Sequence, residues 1–222
     1  MPGGRSASAP PGAVIELVAT MIDLLAVFIV FFSVIDPIGT VPVFIAVTAG
    51  KDRTAKMKTA FQAVLISAAI LIFFVLAGEP ILAAMSIPLS AFQIAGGIVL
   101  FLFALTMIFG ESKPEEELKM VASTQDQAIF PLAVPSIASP GAMLAAVMQT
   151  ENAIYSFSEQ LQVTLVMLAV LIVTLILMLG SSFVYRIIGG AGASIISRVM
   201  GLILASVAVS SVLSGIRVYF SL

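Results

Sequence analysis

Two short runs hold most of the chemistry open to this sequence. Asp36-Pro37-Ile38-Gly39 and Ser139-Pro140-Gly141 each interrupt a long apolar stretch with a capping residue followed by proline and glycine. Asp or Ser ahead of proline is a strong helix start. Its oxygen accepts bonds from orphan amides, and the missing proline N–H costs nothing in the first turn. A helix N-terminus also carries partial positive charge, so half-helices starting at Ile38 and Gly141 could present amides to an anion such as a carboxylate. Asp36 could meet an ammonium, or take and release a proton. Together the two breaks would suit a small zwitterion held at both ends. Ser33 and Ser136, each three residues before the capping position, could add hydroxyls to the same place. They could equally bond back to their own helices. Gly39 and Gly141 allow close approach of backbone, which would serve a ligand or tight helix packing alike. The plainer reading is that all these residues only shape two kinks.

The rest of the inventory narrows the field. The chain has no Cys and no His, which removes thiolate chemistry, disulfides, the usual zinc sites and any histidine relay. No cofactor is expected, and proton or sodium coupling would fall to carboxylates or water. An intramembrane enzyme would need a nucleophile with its base. There is no Gly-x-Ser-x-Gly, and every Lys lies between the apolar segments, so an enzyme is not expected. A net charge of -2, with 10 basic residues that form no basic groove interleaved with aromatics, argues against nucleic acid as a partner.

The elements that must position the two runs follow from hydropathy. Of 222 residues, 60% are apolar and 10% charged, and the mean hydropathy is +1.19. Such a chain belongs in a lipid bilayer. Apolar runs separated by charge or Pro/Gly give six segments, at about 14–50, 59–78, 88–109, 128–150, 161–185 and 199–220. Residues 1–13 read as a disordered tail and 111–127 as a charged cytoplasmic loop, leaving 14–110 and 128–222 as two membrane units. Lys51, Arg53, Lys56, Lys58, Lys113, Lys119, Arg186 and Arg198 lie on one side of this arrangement, with only Arg5 and Arg217 on the other. That asymmetry puts the first group in the cytoplasm and both termini outside. Asp23 is placed at the outer interface, and Gln93, Gln149 and Asn152 near segment ends.

The two runs lie in corresponding places. Ser33, Asp36 and Pro37 align with Ser136, Ser139 and Pro140 at an offset of 103 residues, and Gly97-Ile98-Val99-Leu100 with Gly201-Leu202-Ile203-Leu204 at 104. Both breaks fall near the middle of their segments, at membrane depth. Three crossings per half is an odd number, so the second half must enter from the opposite side. The expected fold is an all-α membrane protein of six transmembrane helices, built as two inverted three-helix repeats, with the first and fourth helices broken at mid-membrane. Secondary transporters bind substrate where two such helices meet. Backbone freed at this depth must be buried in protein or face a wet cavity, and Asp36 is expected to face one.

The stretches Phe31-Phe32-Ser33-Val34-Ile35-Asp36-Pro37-Ile38-Gly39-Thr40, Ile94-Ala95-Gly96-Gly97, Pro131-Leu132-Ala133-Val134-Pro135-Ser136-Ile137-Ala138-Ser139-Pro140-Gly141 and Ser197-Arg198-Val199-Met200-Gly201 resemble the MarC family of bacterial and archaeal inner-membrane proteins. The resemblance runs from about residue 20 to the C-terminus. Ser139 stands where that family usually has a glycine. The resemblance implies kinship with the lysine-exporter superfamily and transport of a small neutral amino acid such as glycine or alanine. On this resemblance Asp36, Pro37, Gly39, Pro140 and Gly141 are the positions of interest. A passive channel and a non-transporting regulatory subunit are the alternatives, and self-association is left open.

Overall fold

Capping, proline placement and a lipid-facing surface set the helix bounds. The computed structural model describes residues 24–109, 128–151 and 156–221. The tail 1–13, Asp23, the loop 111–127 and Asn152 lie outside the described residues. Among the described residues eight helical elements follow in order: α1 (24–35), α2 (Pro37–Val47), α3 (Arg53–Ala84), α4 (Leu89–Phe109), α5 (Ala128–Ile137), α6 (Pro140–Met148), α7 (Phe157–Leu179) and α8 (Ser181–Tyr219). Among the described residues there is no strand.

Among the described residues five helices are long and apolar enough to cross a membrane, or six counting the α5–α6 pair as one bent span. Leu24–Val47 is a single span of 24 residues, about 36 Å at 1.5 Å per residue. Its expected break is a single left-handed residue, Asp36, at φ 48° and ψ 68°. Helical pairing reaches it from either side, from the Asp36 amide to the Phe32 carbonyl (3.0 Å) and from the Thr40 amide to the Asp36 carbonyl (3.0 Å). The second interruption is deeper: α5 and α6 meet at 45°. Within α5, Phe130 and Val134 have extended backbone. Each precedes a proline, whose ring crowds the preceding residue out of helical conformation.

The C-terminal part departs from the expected segments. In place of spans at 161–185 and 199–220 joined by a loop, α7 ends at Leu179 and α8 begins at Ser181 after Gly180 alone. Arg186 and Arg198 are therefore helical residues. The change of direction comes instead at Gly189 (φ 67°), a conformation that a side chain would oppose.

Each long helix buries one stripe and leaves the rest to lipid. On α3 it comprises Ala60, Ala63, Ser67, Leu71, Gly78 and Leu82, and on α8 Ala193, Ser197, Gly201, Leu204, Ala208 and Gly215. Small residues suit helices in hydrocarbon, where association depends on close van der Waals contact. The α4–α8 contact shows this directly. A Cβ on Gly97 would come within 2.9 Å of the Ala208 carbonyl, one on Gly201 within 3.1 Å of the Ala104 carbonyl, and one on Gly215 within 2.9 Å of the Ser90 carbonyl. These pairings run in opposite directions along the two helices, which are antiparallel. The α1–α2 span lies inside, with Phe31, Val34, Ile35 and Val43 fully enclosed. From there α2 packs on α7 and α8, and α6 packs on α3 and α4.

Candidate functional site

The two interruptions meet in the interior. Asp36 caps α2, accepting the Gly39 amide on Oδ1 at 3.0 Å, and its Oδ2 accepts the hydroxyl of Ser197 from α8. Its carbonyl accepts the Thr40 hydroxyl at 3.0 Å. Thr40 in turn accepts the Ser136 hydroxyl, from α5, at 3.2 Å. Ser139 caps α6 by accepting the Ala142 amide at 3.1 Å and donates to the Val34 carbonyl at 3.1 Å. In an unbroken helix that carbonyl would pair with the Ile38 amide, so the hydroxyl of one interruption completes the backbone of the other. Ser67 of α3, whose hydroxyl bonds the Ala63 carbonyl of its own helix at 2.8 Å, also lies 3.2 Å from the Ala133 carbonyl, which already accepts the Ala138 amide. Ser33 reaches Met200 Sδ at 3.7 Å.

Of the residues singled out by sequence, Asp36, Gly39, Ser136 and Ser139 form this junction, with Ser33 at its α8 side and Pro37 buried as the first residue of α2. A Cβ on Gly39 would overlap the Asp36 carboxylate and lie 2.6 Å from Ser197 Oγ, so this glycine makes room for the carboxylate–hydroxyl pair. Pro140 and Gly141 turn elsewhere. Pro140 is exposed and lines an apolar cavity of about 230 Å³ with Phe74, Phe92 and Met143. Gly141 lies against Phe103 and Leu100 of α4, where a Cβ would come within 3.1 and 3.3 Å. Its small size serves packing.

Two expectations are corrected here. Asp36 does not face a wet cavity: it is 0% exposed, as are Ser33, Thr40, Ser136 and Ser197. The Ser197 hydroxyl and the Gly39 amide take the place of water around its oxygens. Nor are the first-turn amides of Gly39 and Ala142 presented to an outside anion, because each is held by its own capping side chain, the nearest acceptor available.

Sequence reasoning missed Ser197, Thr40 and Ser67 as members of the junction. Ser197 interrupts a stripe of small residues with a hydroxyl, and a polar side chain on the inward face of a membrane helix is itself a signal. Among the described residues no three His, Cys, Asp or Glu gather as a metal site would require. What the junction can do is exchange. A ligand ammonium or a proton arriving at Asp36 Oδ2 would replace Ser197, and a ligand carboxylate could take the hydroxyls of Ser136 and Ser139 from their backbone partners.

The sequence matches the family model described as MarC family integral membrane protein over residues 21–220. It is 36% identical over 189 residues to a UPF0056 membrane protein of Methanocaldococcus jannaschii, covering 84% of this chain and 92% of that one. It is also 30% identical over 202 residues to the UPF0056 inner membrane protein YhgN of Escherichia coli, covering 90% of this chain and 98% of that one. A UPF0056 membrane protein of Archaeoglobus fulgidus is 31% identical over 197 residues, covering 86% and 91% of the two chains. No solved structure matches. A match that spans the junction and all the described helices, joined by relatives alike over nearly their whole length, means that this chain belongs to the MarC family of integral membrane proteins.

Proposed function

We propose that this protein is a secondary transporter of the inner or plasma membrane, moving a small neutral amino acid such as glycine or alanine by alternating access with proton or sodium coupling. It would act as a carrier rather than an enzyme, with both termini outside the cytoplasm. One observation carries the reading: a carboxylate sealed inside a membrane protein, at the meeting of two chain interruptions, and bonded to a helix of the other half. Ionisable groups at that depth are costly and occur where ions or substrates pass.

The packing supports two inverted units. Gly97 lies against Ala208 and Gly201 against Ala104, and an offset of 104 positions carries Gly97 onto Gly201 and Ala104 onto Ala208, so the two contacts are exchanged copies of each other. The same exchange relates α2 on α7 and α8 to α6 on α3 and α4. The orientation draws support from Lys51, Arg53 and Lys56 lining one cavity with Ser181 and Ser182, which gathers the first and last connections at one end. The placement draws on the E. coli relative, named as an inner membrane protein. With the junction sealed, the structure suits an occluded carrier better than an open channel.

A second reading has its own observation. Ser136 reaches Thr40, and Ser139 reaches backbone, so the junction could be a structural knot in a non-transporting subunit. Flux of labelled glycine, alanine and serine into proteoliposomes under imposed proton and sodium gradients separates these readings. Carrier action gives saturable, gradient-driven flux that Asp36→Asn abolishes while the variant still elutes as a folded protein. Unchanged flux in that variant reduces Asp36 to a helix cap. Conductance without saturation or coupling identifies a channel, and no flux at all leaves the knot.

A further inference from the structure

Away from the junction, the cavity that gathers Lys51, Arg53 and Lys56 has a composition that neither helix packing nor the solute site uses. It measures about 460 Å³ and lies where α3 begins and α7 gives way to α8. Lys51, Arg53 and Lys56 line it together with Ser181 and Ser182. Among the described residues no carboxylate lines it, since the adjacent Asp52 is turned to cap α3 at the Ala55 amide, 2.9 Å away. Among the described residues the three cations make no ion pair. Ser181 is 7% exposed, and its hydroxyl has no hydrogen-bond partner among the described residues. A buried hydroxyl without a partner loses about 1–3 kcal/mol, so the pocket is incomplete as it stands.

The remaining wall is apolar, with Phe44 and Met178 buried behind an outward edge. Met57 and Leu179 line the cavity and are 42% and 44% exposed, near the ends of their spans, at the level where hydrocarbon meets headgroups. The opposed ends of α7 and α8 adjoin here, so helix dipoles offset one another, and side chains carry the recognition. Arg offers a planar fork to phosphate oxygens, Lys a point charge, and the serines neutral donors.

We propose that this cavity is a binding site for the phosphate headgroup of an anionic glycerophospholipid, with an acyl chain lying along Met57 and Leu179. The phosphate would face Lys51, Arg53 and Lys56 and accept the Ser181 hydroxyl. A free phosphate shares that chemistry but has nothing to place against the apolar wall. Because α2 contributes Phe44 to the cavity, a bound lipid would also steady the half-helix that starts at Asp36. The site is independent of what the protein transports.

Native mass spectrometry and thermal unfolding of the whole chain, in detergent with added lipid, provide the test. Phosphatidylglycerol is expected to be retained and to raise the unfolding temperature, phosphatidylcholine and sn-glycerol 3-phosphate to do neither, and the effect to weaken with salt. Lys51→Gln combined with Arg53→Gln should weaken phosphatidylglycerol binding about thirtyfold, at one near-surface cation's worth for each change. Lys58→Gln, further along α3 and outside the cavity, should leave it unchanged. If the double variant fails to fold, Ser181→Asp places a carboxylate against the intact cations and should expel the lipid. Equal retention of both lipids overturns the proposal, as does glycerol phosphate protecting as well as phosphatidylglycerol, or Ser181→Asp and Lys58→Gln behaving alike.

Discussion

Gly39→Ala is the sharpest perturbation of the junction. The added methyl would overlap the Asp36 carboxylate and stand 2.6 Å from Ser197 Oγ. The carboxylate must therefore swing away, and it is held at both oxygens. Leaving its place breaks the cap to the residue 39 amide, worth about 1 kcal/mol. It also breaks the bond from Ser197, worth about 2 kcal/mol for a hydroxyl on a charged acceptor. Alanine returns about 1 kcal/mol through its better helix propensity. The net loss is about 2 kcal/mol, which for a chain of this size lowers the unfolding temperature by about 4–8 °C. The chain has no Trp, so the practical measurement is the fraction remaining monodisperse by size exclusion after heating in mild detergent. Gly96→Ala is the control, because its Cβ would meet only the flexible Met148 Sδ at 3.2 Å and Leu144 Cδ2 at 3.5 Å. If Gly39→Ala matches the native protein and Gly96→Ala in stability, the carboxylate does not occupy the place described, and the junction argument fails.

Other outcomes follow from the same structure. Gly97→Ala meets the Ala208 carbonyl at 2.9 Å, a backbone atom that cannot step aside, so it should lower heat stability in detergent by more than Gly96→Ala does. Glu151, after α6, has its carboxyl pKa raised, first by burial and then by the Glu79 carboxylate. A raised value in the fold means that the stabilising contribution is complete below the unfolded carboxyl range and is lost as pH climbs through the raised value. Glu151→Gln should accordingly be the more stable protein at neutral pH, with the gap closing on acidification. A gap independent of pH in paired melting curves would refute this.

How far the sequence showed all this depends on the range of the interaction concerned. The Asp36-Pro37 and Ser139-Pro140 starts were legible because a cap and its amide lie three residues apart, and both formed where the grammar places them. The Ser197 bond to Asp36 spans 161 positions and leaves no local trace, since a serine among Ala and Gly on a helix reads as packing. Arg186 and Arg198 looked like residues of a loop between the last two segments, because charge usually marks one. In the structure both sit on a helix, and a single positive φ at Gly189 turns the chain. Pro131 and Pro135 were counted as apolar residues of a helix, although each forces its predecessor into extended backbone. Capping also settled in advance what the amides would bind, which a reading of helix dipoles alone overlooks.

The transport reading also determines which parts can move. α4 and α8 touch backbone to backbone at Gly97, Gly201 and Gly215, and such a seam has no slack for sliding. The junction is held differently, by the Ser139–Val34, Ser136–Thr40 and Ser197–Asp36 bonds. At about 1, 1 and 2 kcal/mol these sum to about 4 kcal/mol, close to the free energy of a ligand bound with millimolar affinity. A weakly bound solute could therefore exchange its own contacts for these and part α1–α2 from α5–α6, while α4–α8 stays fixed. The absence of native cysteine makes this testable. The Thr40 and Ser136 hydroxyl oxygens are 3.2 Å apart, so cysteines in both places lie within reach of a disulfide. Oxidised Thr40→Cys/Ser136→Cys should be silent in flux and recover on reduction, with either single variant indifferent to oxidant. Full flux through the locked junction would mean that the solute takes another path, and that the meeting of the two interruptions is architecture alone.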